Sequence, residues 1–343
     1  MQLYNTLSAE ERRKLIKEAG EDRLTLSFYQ YAHLSSPKEL RDELFLKWEK
    51  LEVLGRTYIA TEGINAQISL PAKNIEAFRE DLYTYDFLNG ARLNVAIEQD
   101  SFSFLKNKIK VRNKIVADGL NDDSFDVTNK GIHLKAKEFN NIIEDPKTVL
   151  VDMRNHYESE IGHFKGALTP DVDTFRDSLD IIENDLKEHK EDKNLVMYCT
   201  GGIRCEKASA YYKHKGFKNV YQLEGGIIEY TRQINEEGIE NKFIGKNFVF
   251  DERRAEKISD DIISKCHQCD QPCDTHVNCK NKGCHLLFIQ CKACQNKMLT
   301  TCSDECKSIV QMPEEEQKRI RSGITSSNKI FRKGRFENIK KIL

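Results

Sequence analysis

The sequence predicts a mixed α/β protein built from three units: an α+β domain, an α/β domain with a parallel sheet, and a small cysteine-rich module. Three observations carry that expectation. The first hundred residues set out strand and helix patterns in the order βαββαβ. The middle of the chain places continuous apolar strands between helical stretches, as a parallel sheet buried on both faces requires. All eleven cysteines lie at or after Cys199, nine of them between Cys266 and Cys306. At 343 residues the chain is longer than one average domain. Its 39% hydrophobic and 32% charged residues are those of a globular protein, and no apolar run reaches the roughly 18 residues of a membrane span. The start, MQLYNTLSAEERRKL, is charged too early for a signal-peptide core, so the cytoplasm is the expected address.

Residues 1–20 read as a short amphipathic helix. LTLSFYQYAHL (24–34) has the β-branched and aromatic content of a strand. SPKEL then offers Ser36 as N-cap, Pro37 at the first helical position and Glu39 three residues after the cap, a capping box. Leu40, Leu44, Trp48 and Leu51 follow at helical spacing, with Trp48 expected in the core. GRTYIATEGINAQISL reads as two strands about a turn, with Glu62–Asn65 a plain hairpin connection. PAKNIEAFREDLYTY reads as a helix opened by Pro71, and ARLNVAIEQ as the last strand. This order is that of a ferredoxin-like or acylphosphatase-like domain, assigned with its helical extension to residues 1–117.

The second unit, residues 118–245, begins with a strand and helix in IHLKAKEFNNII. TVLVDMR and NLVMYC are buried-type strands. CEKASAYYKHKG is a helix with Gly216 as its cap, and NVYQLEGGIIEY gives a strand, a glycine turn and a helix. Ligands of such sheets sit beyond the carboxyl ends of the strands, where Cys199 falls. The cysteine-rich module occupies residues 246–312, and a basic tail residues 313–343.

Net charge, −1, excludes nothing, but its distribution is uneven. Residues 317–343 hold nine Lys/Arg against one acidic residue, and residues 101–117 hold five basic residues and no acidic one. Each alone is accounted for by a solvated tail or strand face. Together they make an RNA-binding face plausible, with Lys106, Lys108, Lys110 and Arg112 in one segment and Lys329, Arg332, Lys333 and Arg335 in the other.

The stretch VMYCTGGIRCEKASA (196–210) concentrates the chemistry. Gly201 and Gly202 permit backbone conformations that turn successive N–H groups inward as an anion nest. The following helix adds the positive end of its dipole, and Arg204 adds a permanent cation. All three raise the thiolate fraction of Cys199. An inert packed cysteine needs none of them. Cys205, further along the same stretch, reads as packing rather than as a partner thiol.

Cys266-x-x-Cys269 and Cys291-x-x-Cys294 have metal-knuckle spacing, and Cys302-x-x-x-Cys306 lies close behind. Cys273, Cys279, Cys284, His267, His276 and His285 fill the gaps. Clustered thiols in a cytosolic chain favour structural zinc, one or two ions, over disulfides; an iron–sulfur cluster uses the same ligands. Spacing does not settle the pairing. One arrangement joins the two CxxC pairs at one site and leaves Cys279, Cys284, Cys302 and Cys306 for the other.

The turn Cys199-Thr-Gly-Gly-Ile-Arg204 resembles the Cys-x-x-Gly-x-Arg loop of rhodanese domains. LVDMRNHYESEIGHFKGA is similar to the rhodanese signature, with Asp152, Arg154, Glu158, Gly162, His163, Gly166 and Ala167 in place, and LEGG (223–226) also matches. The resemblance implies a persulfide or nucleophilic thiolate at Cys199, an anion held by Arg204 and the loop amides, and scaffold roles for Asp152, Arg154 and His163. ATEGIN, MYCTGGIRCEKASA, FIGKNFVFDER and CHQC…CKNKGCHLLFIQC together resemble the rhodanese-like tRNA uridine(34) hydroxylases over roughly residues 24–335. Ala66 departs from the glycine that members often carry after GIN. That resemblance implies oxygen-dependent formation of 5-hydroxyuridine at the wobble position, molecular oxygen as co-substrate and the tRNA anticodon loop as partner, with neither DNA nor membrane. The loop chemistry fits a persulfide sulfurtransferase equally well, and a noncatalytic RNA-binding scaffold is the third reading, against which the intact Cys199 and Arg204 count.

Overall fold

Alternation in the first strand sets the architecture of the N-terminal part. α1 (Ala9–Ala19) is fixed by a reciprocal Ser8/Glu11 capping box and closed by Gly20 in the left-handed region. β1 (Arg23–Tyr31) then buries Leu26 and Phe28 in the core and turns Ser27, Tyr29 and Tyr31 to the other face. α2 (Pro37–Lys50), β2 (Leu54–Ala60), β3 (Gly63–Pro71), α3 (Ile75–Tyr83), β4 (Asn94–Val95) and β5 (Asn107–Val111) follow. The five strands lie in the order β4-β1-β3-β2-β5, with β5 added parallel to β2. Trp48 is fully buried between Phe28 and Phe78, at ring-centroid distances of 6.3 and 5.6 Å. This computed structural model describes residues 3, 5–120 and 124–322.

Three local expectations differ from what forms. Ser36 makes no side-chain cap, its backbone lying at φ −130° and ψ 66°, although Pro37 does open α2. Pro71 ends β3, and α3 starts at Ile75 only after a single 3-10 turn, Ala72–Asn74. The strand expected across 91–99 is confined to Asn94–Val95, because side chains take over its ladder. The Thr25 amide donates to Gln99 Oε1 at 2.7 Å and the Ile97 amide to Glu256 Oε1 at 3.0 Å.

The chain continues through β6 (Ile132–Leu134), α4 (Ala136–Ile142), β7 (Thr148–Asp152), α5 (His156–Ser159), β8 (Gly162–Phe164), α6 (Phe175–Asp185), β9 (Asn194–Tyr198), α7 (Ile203–His214), β10 (Asn219–Leu223) and α8 (Gly226–Glu237). A second sheet has the order β6-β10-β9-β7, with β10 parallel to both β6 and β9. Described residues of Met1–Leu150, Asp185–Asn241 and Val249–Glu256 form one unit, so the first sheet and α7 belong together.

α7 explains how. Every residue from Arg204 to Tyr212 is buried, among them three charged residues, Arg204, Glu206 and Lys207. Lys207 is fully buried, its ammonium 2.5 Å from Glu62 Oε2 and 2.7 Å from Asp118 Oδ2. Its neighbour Glu206 pairs with Lys130, and with His133 at 3.0 Å, and accepts from Gln222 at 3.1 Å. Glu62 thus does more than shape a hairpin turn: its other oxygen accepts the Ile115 amide at 2.7 Å.

The second unit takes described residues of Val151–Asn184, Lys242–Phe248 and Lys257–Leu343. Its later elements are β11 (Phe243–Phe248), β12 (Ala255–Lys257, which begins in the first unit), β13 (His276–Asn278), β14 (Leu287–Ile289), α9 (Lys292–Met298), α10 (Asp304–Gln311) and α11 (Glu314–Arg321). β11 pairs antiparallel with β8, and β13 with β14. No described helix is long and apolar enough to cross a membrane.

Removing one member of a buried ion cluster strands the others without compensation, at about 3–5 kcal/mol. Lys207→Met is therefore expected to lower the urea midpoint by that equivalent. An unchanged midpoint would show that the cluster does not hold α7.

Candidate active site and metal centres

Cys199 follows directly on β9, and the loop to α7 is only four residues, Cys199 to Gly202. Its peptide groups are sorted by direction. Ile227 and Ile228, in the first turn of α8, donate to the carbonyls of Cys199 and Thr200 at 3.0 and 3.2 Å. With those carbonyls held toward α8, the amides on the other side are left for the sulfur. Gly202 donates to Cys199 Sγ at 3.2 Å, and the amides of Arg204 and Cys205 add two more hydrogen bonds. Gly202 sits at φ +97°, where only glycine is unstrained. Gly201 does not, and its role is its place in the turn. Gly226 permits the approach of α8: a Cβ there would lie 2.5 Å from the Cys199 carbonyl oxygen.

Burial of Cys199, 1% exposed, opposes ionisation. The Cys205 thiol, the Arg204 charge and the two amides outweigh it, and the thiol is lowered to about 5. Arg204 is itself nearly buried and reaches Thr200 Oγ1 at 3.5 Å. Cys205 is fully buried, as a packing residue should be, yet its thiol also hydrogen-bonds the Cys199 sulfur. The structure thus gathers Cys199, Gly201, Gly202 and Arg204 in one turn.

What the sequence pattern did not disclose is the other wall. Tyr31 Oη donates to the Ile203 carbonyl at 3.4 Å, and Asn94 Nδ2 to the Gly201 carbonyl at 3.5 Å. Tyr29 Oη lies against Gly202, 2.8 Å from where its Cβ would be. Burial first, then the charges of Glu206, Cys199 and Cys205, push the Tyr29 phenol well above its ordinary value, so it stays protonated. The available signal was the alternation of Ser27, Tyr29 and Tyr31 with the apolar Leu24, Leu26 and Phe28 on the opposite face of the strand.

The signature residues of the second unit form a separate brace. Arg154 is almost fully buried, donating to Asp152 through Nε at 2.9 Å and Nη2 at 2.6 Å, and to the Gly162 carbonyl at 2.6 Å. His163 Nδ1 lies 2.9 Å from the Ser159 carbonyl. These are contacts of a scaffold.

In the same unit the cysteines gather into two groups, Cys266/Cys269/Cys291/Cys294 and Cys279/Cys284/Cys302/Cys306, each with its sulfurs within 4.8 Å of one another. Cys269–Cys291, Cys284–Cys302 and Cys302–Cys306 are 3.7, 3.6 and 3.8 Å apart. A tetrahedron with Zn–S bonds of about 2.3 Å has an edge of about 3.8 Å, so the donor set fits a four-coordinate thiophilic ion. The Cys291 amide donates to Cys266 Sγ at 3.3 Å, and Asn281 Nδ2 to Cys306 Sγ at 3.3 Å, as second-layer donors to thiolates do. Cys273 joins neither group, and His267 is engaged by Glu160 at 2.7 Å and by the Ile289 amide at 3.0 Å.

Lys108, Lys110 and Arg112 project from the exposed face of β5 and its end, with Lys106 half-buried beside them. Lys329, Arg332, Lys333 and Arg335 lie outside the described residues.

An opposite charge at this range lowers an acid by about 1–3 pH units. Arg204→Gln is accordingly expected to move the midpoint of Cys199 alkylation by iodoacetamide upward by that amount. The rate should rise through the midpoint and level off above it. An unmoved midpoint would remove Arg204 from the electrostatics of the sulfur.

Family models agree with this geometry. The UPF0176 acylphosphatase like domain matches residues 23–115, the Rhodanese-like domain residues 135–233 and the Rhodanase C-terminal model residues 244–307. A tRNA uridine(34) hydroxylase of Enterobacter sp. (strain 638) is 53% identical over 97% of this chain and 95% of its own length. That of Leptospira interrogans is 52% identical over 97% of this chain and 90% of its own. With a thiol-bearing loop of rhodanese type between an acylphosphatase-like domain and a cysteine-rich module, and with this identity along nearly its whole length, the chain belongs to the tRNA uridine(34) hydroxylase family.

Proposed function

We propose that this chain hydroxylates the wobble uridine of tRNA to 5-hydroxyuridine, with Cys199 as nucleophile and molecular oxygen as co-substrate. The buried sulfur, held ionised by its hydrogen bonds and by Arg204, carries the reading. Uracil C5 is a poor nucleophile until a thiolate adds to C6, which places negative charge on C5 and O4. Oxygen then bonds to C5. One of its atoms remains as the hydroxyl, and the other leaves as water with two electrons and two protons from a thiol reductant. Loss of the C5 proton and of the Cys199 sulfur restores the ring double bond.

The labour divides along the chain. Residues 1–117 face RNA through Lys106, Lys108, Lys110 and Arg112, joined by Lys329, Arg332, Lys333 and Arg335 of the 313–343 tail. Residues 118–245 carry the chemistry, and residues 246–312 hold one structural zinc in each cysteine group. The anticodon loop presents its base single-stranded. The setting is the cytoplasm, with neither DNA nor membrane as partner.

Nucleosides from cells lacking this protein, analysed by mass spectrometry, should lose 5-hydroxyuridine and its derivatives. Wild-type protein should restore them, and Cys199→Ser should not. Loss of a thiolated base instead would assign persulfide transfer, and normal product from the Cys199→Ser protein would remove the sulfur from the reaction.

Metal analysis of the purified chain should give two zinc equivalents, falling toward one in Cys294→Ser. Iron in place of zinc, or no metal, would contradict the structural-zinc assignment.

A further inference from the structure

The face of the N-terminal sheet that meets the Cys199 loop carries one polar row across all five strands. Register pairs Asn94 with Ser27, Ser27 with Gln67, Gln67 with Arg56 and Arg56 with Lys108. Register partners point to the same face, so these side chains form a line of about 19 Å, four strand spacings. One end is the active-site loop, where Asn94 Nδ2 donates to the Gly201 carbonyl. The other end is the exposed Lys108 on the edge strand.

The neighbouring rows differ from this one. On one side Thr25, Ser69 and Leu54 are buried, Thr25 Oγ1 donating to Ser103 Oγ at 2.9 Å and Leu54 packing with Ile16 and Phe104. On the other, Asn65 is buried and donates to the Ile115 carbonyl at 3.1 Å, while its register partners Tyr29 and Tyr58 are half-buried. Between them Ser27, Gln67 and Arg56 keep partial exposure. The polar row is thus bordered by a sealed row on one side and by half-buried aromatic side chains on the other.

Its far end gathers like charges. Lys106, Lys108 and Lys110 share one face of β5 beside Arg56, and among the described residues no carboxylate pairs with any of the four. Burial, then Arg56, Lys106 and Lys110, push the Lys108 ammonium below its ordinary value. Such a cluster is relieved by a polyanion.

We propose that this row seats the single-stranded RNA segment adjoining the target base, with Arg56 and Lys108 on its phosphates and Gln67, Ser27 and Asn94 offering hydrogen bonds to sugar and base edges on the way to Gly201. The inference rests on the tRNA reading above and adds the path the strand takes. Continuity with the Cys199 loop favours the substrate strand itself over any other polyanion.

The test measures binding of a fluorescent anticodon stem-loop RNA by anisotropy across a range of salt concentrations. For single strands each phosphate contact contributes about 0.7 to the slope of log K against log salt, so Arg56→Gln/Lys108→Gln should lower the slope by about 1.4. A control pair of equal charge, Lys137→Gln/Lys187→Gln, should leave it unchanged, and the rate of Cys199 alkylation should report an intact fold in both. A wild-type slope in the Arg56/Lys108 variant, or an equal drop in the control, overturns the path. Failure of the wild-type chain to bind the RNA at all would instead overturn the tRNA reading on which it stands.

Discussion

A buried sulfur that is nevertheless charged is the constraint around which the molecule is organised. Desolvation by itself would drive Cys199 toward the neutral thiol, and at 1% exposure that penalty is close to its maximum. Three backbone amides, one neighbouring thiol and one guanidinium reverse the balance. Their effect is large because water is excluded: each dipole acts through a low local dielectric and is already oriented. The cost of that orientation is met by the fold. α8 fixes the loop carbonyls, Gly202 supplies the left-handed turn, and α7 is held along its length by buried charge pairs.

The N-terminal sheet then has two different surfaces for two different tasks. One face, with Leu26, Phe28, Ile64 and Ile68, closes on α2 and α3 as an ordinary core. The other brings Tyr29, Tyr31 and Asn94 against the loop and Glu62 against Lys207. The Cys199 thiol and this sheet therefore form one arrangement, and Glu62, a mere turn residue by its sequence pattern, is tied to Lys207, 145 residues further on in the helix that carries the thiol's cradle.

The parts legible in the sequence were those set by local pattern. β-branched and aromatic content located β1, helical spacing located α2, a continuous apolar run located β9, and the glycine turns marked where α7 and α8 begin. The Ser36 cap does not form because its backbone takes φ −130° and ψ 66°, and the strand over 91–99 is cut short because the side chains of Gln99 and Glu256 accept backbone amides that a ladder would use. Tyr29 and the Lys207 cluster were out of reach because each depends on a contact between segments far apart in the chain, whereas the hydrogen bond from Cys205 depends on how the loop turns into α7. The grouping of eight cysteines into two sets was one of several that spacing allowed, and folding selects it.

All of this depends on the charge of one sulfur. Thiolate absorbance in the ultraviolet, titrated as wild-type minus Cys199→Ser difference spectra, reads it directly and cancels the remaining cysteines. A half-point near pH 5 is expected. A half-point in the alkaline range of an ordinary thiol would contradict it.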